Sequence, residues 1–217
     1  MYLILKKVFD KILAIILLII FAIPMLIISI AIKIEDGGTI IYKSKRMGKG
    51  LKIFSTYKFR SMKMQRKELE GKFTHDEMVT KVGKFIRKTS LDELPQLFNI
   101  LKGEMSFIGP RPWIPEYYEW FTEEQKRRAE VLPGISGLAQ VRGRNGISIF
   151  QKLEYDIEYV DNMSLKQDVK IIAKTIKTVF EKKDAEITET GIKEEIKELR
   201  ESQLVYVNQN NEYKQAI

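Results

Sequence analysis

The 217-residue sequence predicts an α+β fold, mainly helical: a compact domain with a short β hairpin, preceded by a long apolar segment. Three observations carry this. Residues Ile12 to Ile32 form a run of 21 residues without a charge, apolar except for Pro24 and Ser29. Apolar residues recur at helical spacing in several later segments, whereas strand-like patterning falls within residues 39–59. The chain has no cysteine and one histidine, His75, which excludes a disulfide framework, a thiolate zinc site, a thiol nucleophile and a poly-histidine metal site. The length suits one domain, two at most, and is ample for a buried core. The formal charge is +8, and residues 35–217 keep 33 basic against 28 acidic residues, so the basic bias extends beyond the N-terminal segment. Composition thus leaves a membrane-associated basic protein rather than a secreted scaffold or a disordered chain.

Taken in order, the first element is the apolar run. As a helix it is about 31 Å long, against a hydrocarbon core of about 30 Å. That length fits a single spanning anchor and is too long for a cleaved signal peptide. Pro24 removes a backbone hydrogen bond in mid-run and clashes with the carbonyl of Ile20, so a break there also fits a re-entrant hairpin. Basic residues flank both ends, with Lys6, Lys7 and Lys11 before it and Lys33, Lys43, Lys45 and Arg46 after it, so charge leaves both readings open. Gly37-Gly38 marks a turn, and Thr39–Tyr42 with Leu51–Phe59 predicts the hairpin. Helices are expected over Met62–Lys72, over Ser90–Leu101 with Gly103 as its stop, over Glu116–Val131 and over Phe150–Val160. Gly109-Pro110-Arg111-Pro112 reads as rigid loop, and a glycine-rich loop runs from Pro133 to Gly146. In Leu165–Lys183, apolar residues 165, 169, 172, 176, 179 and 180 share one side and Lys166, Lys170, Lys174 and Lys177 an adjoining strip. That pattern fits either an amphipathic core helix or a helix lying in a membrane interface. The polar C-terminal stretch contains a surface helix over Ile187–Leu204.

Chemistry concentrates at Asp92-Glu93. Ser90 and Glu93 have capping-box spacing, so a structural reading of the pair stands beside a chemical one. The chemical reading rests on the surroundings: Lys84, Arg87 and Lys88 precede the pair and Arg111 follows it in a proline-fixed loop. Such cations beside a helix start favour phosphate, and adjacent carboxylates can divide the work, one attacking phosphorus and one helping to hold Mg²⁺. A second basic cluster, Arg142-Gly143-Arg144-Asn145-Gly146, offers bidentate donors to phosphate, although alone it equally suits a solvated turn or nucleic acid.

These segments, in this order, resemble the small monotopic phosphoglycosyl transferases, the bacterial sugar-transferase family. The resemblance spans roughly residues 5 to 185. It rests on Tyr57-Lys58-Phe59-Arg60-Ser61-Met62 and on Ser90-Leu91-Asp92-Glu93-Leu94-Pro95-Gln96-Leu97-Phe98-Asn99. Gly103 to Pro112, Pro133 to Val141, Arg144-Asn145 and Asp156 with Tyr159-Val160 complete it. It implies transfer of a sugar-1-phosphate from a UDP-sugar to polyprenyl (undecaprenyl) phosphate, with release of UMP and with Mg²⁺ as cofactor. Asp92 would be the nucleophile, forming a covalent phosphosugar intermediate, and Glu93 would bind Mg²⁺ beside it or help to activate the lipid phosphate. Lys58, Arg87 and Arg111 would bind phosphate, Arg144 and Asn145 the nucleotide sugar, and Asp156 would be structural or metal-adjacent. The resemblance further implies a re-entrant membrane hairpin over 1–34 and a catalytic domain over 35–185 with interfacial amphipathic helices. Residues 186–217 form an extension without a family counterpart. It places the protein on the cytoplasmic face of the bacterial inner membrane, in contact with membrane lipid. Family members usually bend the hairpin at Ser-Pro; here the pair is Ile23-Pro24. A catalytically inactive membrane-anchored phosphate- or lipid-binding protein is the alternative, against which the intact Asp92-Glu93 argues. A nucleic-acid partner is not expected, because aromatic residues do not alternate with the basic ones as a stacking platform requires. No segment predicts an oligomeric state.

Overall fold

The computed structural model describes residues 2–63, 78–143, 146–180 and 193–203. The apolar run is two helices, α1 (Tyr2–Ile20) and α2 (Ala22–Asp36), bent by 62°. The break falls at Phe21 (φ −91°, ψ 6°), three residues before Pro24. A proline ring collides with the carbonyl four residues earlier, so the chain opens on its N-terminal side, and Pro24 then sits in the first turn of α2, where no donor is missed. Gly37, at φ +65°, ends α2 in the left-handed conformation and donates its N–H to the Lys33 carbonyl. Among the described residues no single helix is long and apolar enough to cross a membrane, but the bent pair passes that test by length and composition.

Only one face of this pair packs inward. Ala14 of α1 joins Leu97, Ile100 and Met105 in one cluster, while Ile28 and Ile32 of α2 join Phe59 and Ile86 in another. Elsewhere large apolar side chains point outward along both helices, among them Phe9, Ile12, Ile19, Ile23, Leu26 and Ile34. Two ionisable groups on α1 turn inward instead, while Lys7 and Lys11 are exposed: Lys6 pairs with Asp168, and Asp10 accepts from Ser106 Oγ at 2.7 Å.

Strands β1 (Ile41–Met47) and β2 (Ile53–Phe59) pair antiparallel, with Ile41 opposite Phe59 and Met47 opposite Ile53. The first strand is longer than its apolar pattern suggests, because Lys43 and Lys45 lie on an exposed surface where charge costs little. Helix α3 (Lys81–Lys88) is capped by Thr80, whose Oγ1 accepts from Gly83 N. The Glu35 carboxylate, at the end of α2, accepts from the N–H groups of Lys81 and Val82 at 2.6 and 3.0 Å, an anion on a helix start.

The single helix expected over Ser90–Leu101 is instead a 3₁₀ turn, Leu91–Glu93, followed by α4 (Gln96–Lys102). Pro95 explains the split, since it cannot donate within a continuous helix and is favoured just before a new one. Gly103 ends α4 as its position suggests. The expected helix over Glu116–Val131 also divides, into 3₁₀ turns at Pro115–Trp120 and Arg127–Glu130 around α5 (Glu123–Lys126). Thr122 forms a capping box with Gln125 and starts the chain afresh there.

A parallel pair that patterning did not reveal joins β3 (Ser106–Ile108) to β4 (Gly134–Ser136). Its backbones approach so closely that a Cβ on Gly134 would lie 2.2 Å from Gly109 N. Then come α6 (Leu138–Arg142), α7 (Ile149–Asp161), opened by a Ser148/Gln151 capping box, and α8 (Leu165–Phe180). In α8 the packed side chains are Asp168 and Ile171, whereas Leu165, Val169, Ile172 and Ile176 are exposed. That corrects the core-helix reading, because the apolar stripe faces outward over residues 165–176. Asp168 accepts from Tyr2 OH at 2.6 Å and from Tyr159 OH at 2.8 Å, which ties α8 to α1 and α7. Residues 193–203 form a helix, α9, whose Leu199 is fully buried, so this part of the extension is docked rather than lying on the surface. The helix expected over Met62–Lys72 lies mostly outside the described residues, as does the start of the one over Ile187–Leu204.

Candidate active site

The Asp92-Glu93 turn stands between β2, α3 and the loop after β3. Ser90, which precedes it, has φ 57° and ψ 16°, a left-handed conformation that costs a non-glycine residue about 1–2 kcal/mol. Its side chain makes no cap, so the capping-box reading of Ser90 and Glu93 does not hold. The Glu93 carboxylate turns the other way: Oε1 accepts from Lys58 Nζ at 2.6 Å and from Arg111 Nη2 at 3.0 Å. Lys58 Nζ also lies 3.7 Å from Asp92 Oδ2, so one ammonium serves both carboxylates. Asp92 itself is 9% exposed.

Each cation has its own support. Lys58 comes from β2, which Asn99 of α4 pins in place. The Asn99 amide accepts from Tyr57 N at 3.1 Å and donates to the Ser55 carbonyl at 2.8 Å and to Glu104 Oε2 at 2.7 Å. Arg87 of α3 donates from Nε to Ser61 Oγ at 2.8 Å, and its charge reaches Asp92. Arg111 stands in the Pro110-Arg111-Pro112 loop, and its carbonyl accepts from Arg128 Nη2 at 2.7 Å. Asn99 was part of a motif but carried no separate signal, since a buried amide reads in sequence like any other asparagine.

Electrostatics separate the two carboxylates. Burial pushes Asp92 above the usual carboxylate range and the charge of Glu93 adds to this, against the pull of Lys58, Arg111 and Arg87. Burial acts on Glu93 too, but Lys58 and Arg111 outweigh it and hold Glu93 down to about 2. Glu93 is therefore a fixed anion, while Asp92 carries the less stabilised charge. Lys58 and Arg111, both on Glu93, and Arg87, whose charge reaches Asp92, are donors of the kind that phosphate accepts. Among the described residues no cluster of three or more His, Cys, Asp or Glu forms.

Not every residue singled out from the sequence joins this cluster. Arg144 and Asn145 lie outside the described residues. Their neighbour Arg142 is held by Glu158 and stacks on Tyr155, with the guanidinium carbon 4.7 Å from the ring centroid. Asp156 is fully buried and binds Arg128, whose Nε and Nη2 lie 3.0 and 2.6 Å from Oδ2. Arg128 donates as well to Tyr118 OH at 2.8 Å and sits 4.3 Å over the Trp113 ring. Asp156 is thus a structural residue that acts on the Arg111 loop through Arg128. Sequence reasoning passed over Arg128 because Arg127-Arg128 in a polar stretch reads as a solvated helix face.

Known proteins are similar to this sequence. A family profile described as bacterial sugar transferase matches residues 1–182. "Uncharacterized sugar transferase EpsL" of Bacillus subtilis is 44% identical over 178 residues, 82% of this chain and 88% of that protein. "Undecaprenyl-phosphate galactose phosphotransferase" of Salmonella typhimurium is 40% identical over 198 residues, 83% of this chain and 41% of that protein. "Exopolysaccharide production protein ExoY" of Rhizobium meliloti is 36% identical over 191 residues, 80% of this chain and 84% of that protein. The chain therefore spans most of EpsL and ExoY and less than half of the Salmonella enzyme. With the profile covering the chain from residue 1 through the end of α8, this protein belongs to the bacterial sugar transferases.

Proposed function

We propose that this protein transfers a sugar-1-phosphate from a UDP-sugar to undecaprenyl phosphate and releases UMP, through a covalent intermediate on Asp92. The observation that carries this reading is the split carboxylate pair inside a ring of Lys58, Arg87 and Arg111. An Asp92 oxygen attacks the sugar-linked phosphorus, and the bond from that phosphorus to the bridging oxygen breaks as UMP leaves. A phosphate oxygen of the lipid then attacks the same phosphorus, and the Asp92 carboxylate departs unchanged. Lys58 and Arg111 neutralise charge on the passing phosphoryl group, and Glu93 holds both cations in position. The oxygens of Asp92 and Glu93, hard donors on adjacent residues, suit Mg²⁺ and would hold it. When bound, Mg²⁺ supplies further neutralisation of the diphosphate.

The outward apolar faces of α1, α2 and α8 support a protein seated in the cytoplasmic face of the bacterial membrane, where the lipid phosphate lies. In this reading the 62° bend lets α1 and α2 enter and leave by one face. Detergent-purified protein incubated with UDP-sugars, Mg²⁺ and undecaprenyl phosphate should release UMP. Release of UDP would mean ordinary glycosyl transfer and sink the mechanism. Since the chain has no cysteine, Leu3→Cys and Lys45→Cys can be probed singly in intact cells with an impermeant thiol label. Equal reactivity is expected, and opposite reactivity would establish a spanning segment.

A further inference from the structure

The family match ends at residue 182, yet α9 lies beyond it and is packed into the body of the protein. Leu199 of α9 is 0% exposed and shares a cluster with Tyr117, Tyr118, Phe121, Ala129, Ile149 and Leu153. Glu195 accepts from Tyr117 OH at 2.6 Å and from Lys152 Nζ at 2.5 Å, and Lys152 is itself 8% exposed. Arg200 covers the Trp120 ring at 5.5 Å.

All three contacts fall on one short segment or its backing. Tyr117 and Trp120 belong to the 3₁₀ turn that follows Arg111, and Lys152 stands behind it on α7. From Tyr117 the packing continues inward. Its ring is 5.0 Å from that of Trp113, Trp113 lies under the Arg128 guanidinium, and Arg128 donates to the Arg111 carbonyl. The segment itself is weakly tied by backbone: Trp113 O accepts from Met47 N at 2.9 Å, and the turn has no sheet ladder.

We propose that α9 is a strap for the Arg111 loop, with Glu195 and Leu199 as positioning residues for phosphate binding. Neither touches substrate; they act through Tyr117, Trp113 and Arg128 on the direction in which Arg111 leaves its loop. The catalytic part of this proposal rests on the sugar-phosphate transfer reading, because it assigns Arg111 to the diphosphate.

The test uses the full chain with Leu199→Ala and, separately, Glu195→Gln. The two tryptophans of the sequence, Trp113 and Trp120, both lie in the strapped segment, so intrinsic fluorescence reports on it alone. Both variants should red-shift that emission and speed amide exchange in residues 111–121. Both should also raise the KM for UDP-sugar, by about tenfold for Leu199→Ala. In an Arg111→Lys background, Leu199→Ala should raise KM no further. A lower melting temperature with unchanged KM would reduce α9 to a structural role and overturn the proposal. Unchanged fluorescence and exchange would overturn it as well. If the wild-type protein releases no UMP while the exchange increase is present, the transfer reading fails and the strap stands.

Discussion

Asp92→Asn is expected to abolish turnover and, in the same protein, to raise thermal stability. The first effect follows from losing the attacking oxygen. An amide of the same shape is no nucleophile, and a loss of at least about a thousandfold in kcat is expected, with no radiolabelled sugar phosphate trapped on the protein. The second effect follows from the sign of the Asp92 shift. Burial raises its pKa above the unfolded value, so the folded state binds that proton more readily than the unfolded chain does. Ionisation therefore costs stability, fully so above the raised pKa and not at all below the ordinary one. Asparagine removes that cost at neutral pH. A melting curve unchanged at acid pH and shifted upward at neutral pH is the expected signature. The same sign predicts that wild-type kcat/KM falls as pH drops through the raised Asp92 value, while Glu93, held to about 2, stays ionised throughout. Substantial UMP release by the variant would remove Asp92 as nucleophile.

Breaking the pair between Arg128 and Asp156 should have the largest effect on folding. Their side chains are 1% and 2% exposed. Asp156→Leu would leave a guanidinium buried without its counter-charge, at an expected cost of about 3–5 kcal/mol. Replacing both, with Arg128→Met and Asp156→Leu, should recover most of that stability, because a buried ion pair exchanged for apolar groups of similar volume is close to neutral. Activity should not return. The double variant still lacks the donor to the Arg111 carbonyl and the cation over Trp113. Urea unfolding and UMP release measured on the same three proteins check this. Recovery of activity together with stability would mean that Arg128 does not position Arg111.

Much of this was legible in the sequence because it is written locally. The apolar run, the stop at Gly103 and the hairpin depend on residues within a turn or two of one another. Asp92 and Glu93 stood out because cations flank them along the chain. Boundaries failed where a proline or a capping box divides one periodic segment into two, as at Pro95 and Thr122. The parallel pairing of β3 with β4 escaped for another reason. Each strand is three residues long, too short to show a period.

The sequence by itself thus determined a mainly helical chain with an exposed apolar segment and a carboxylate pair among basic residues. Tertiary structure decided which bases meet which acids. Lys58 reaches Glu93 across 35 positions, Arg111 arrives from the other side, and Arg128, unremarkable in sequence, is buried on Asp156. It also decided that Leu165, Val169, Ile172 and Ile176 of α8 face outward and that Leu199 faces inward. The physical reason is common to all of these. Hydrophobic period and turn chemistry are properties of neighbouring residues, whereas the environment of a charge depends on which elements pack around it. An arginine on a solvated face and one buried against a tryptophan are the same letter until the chain has folded.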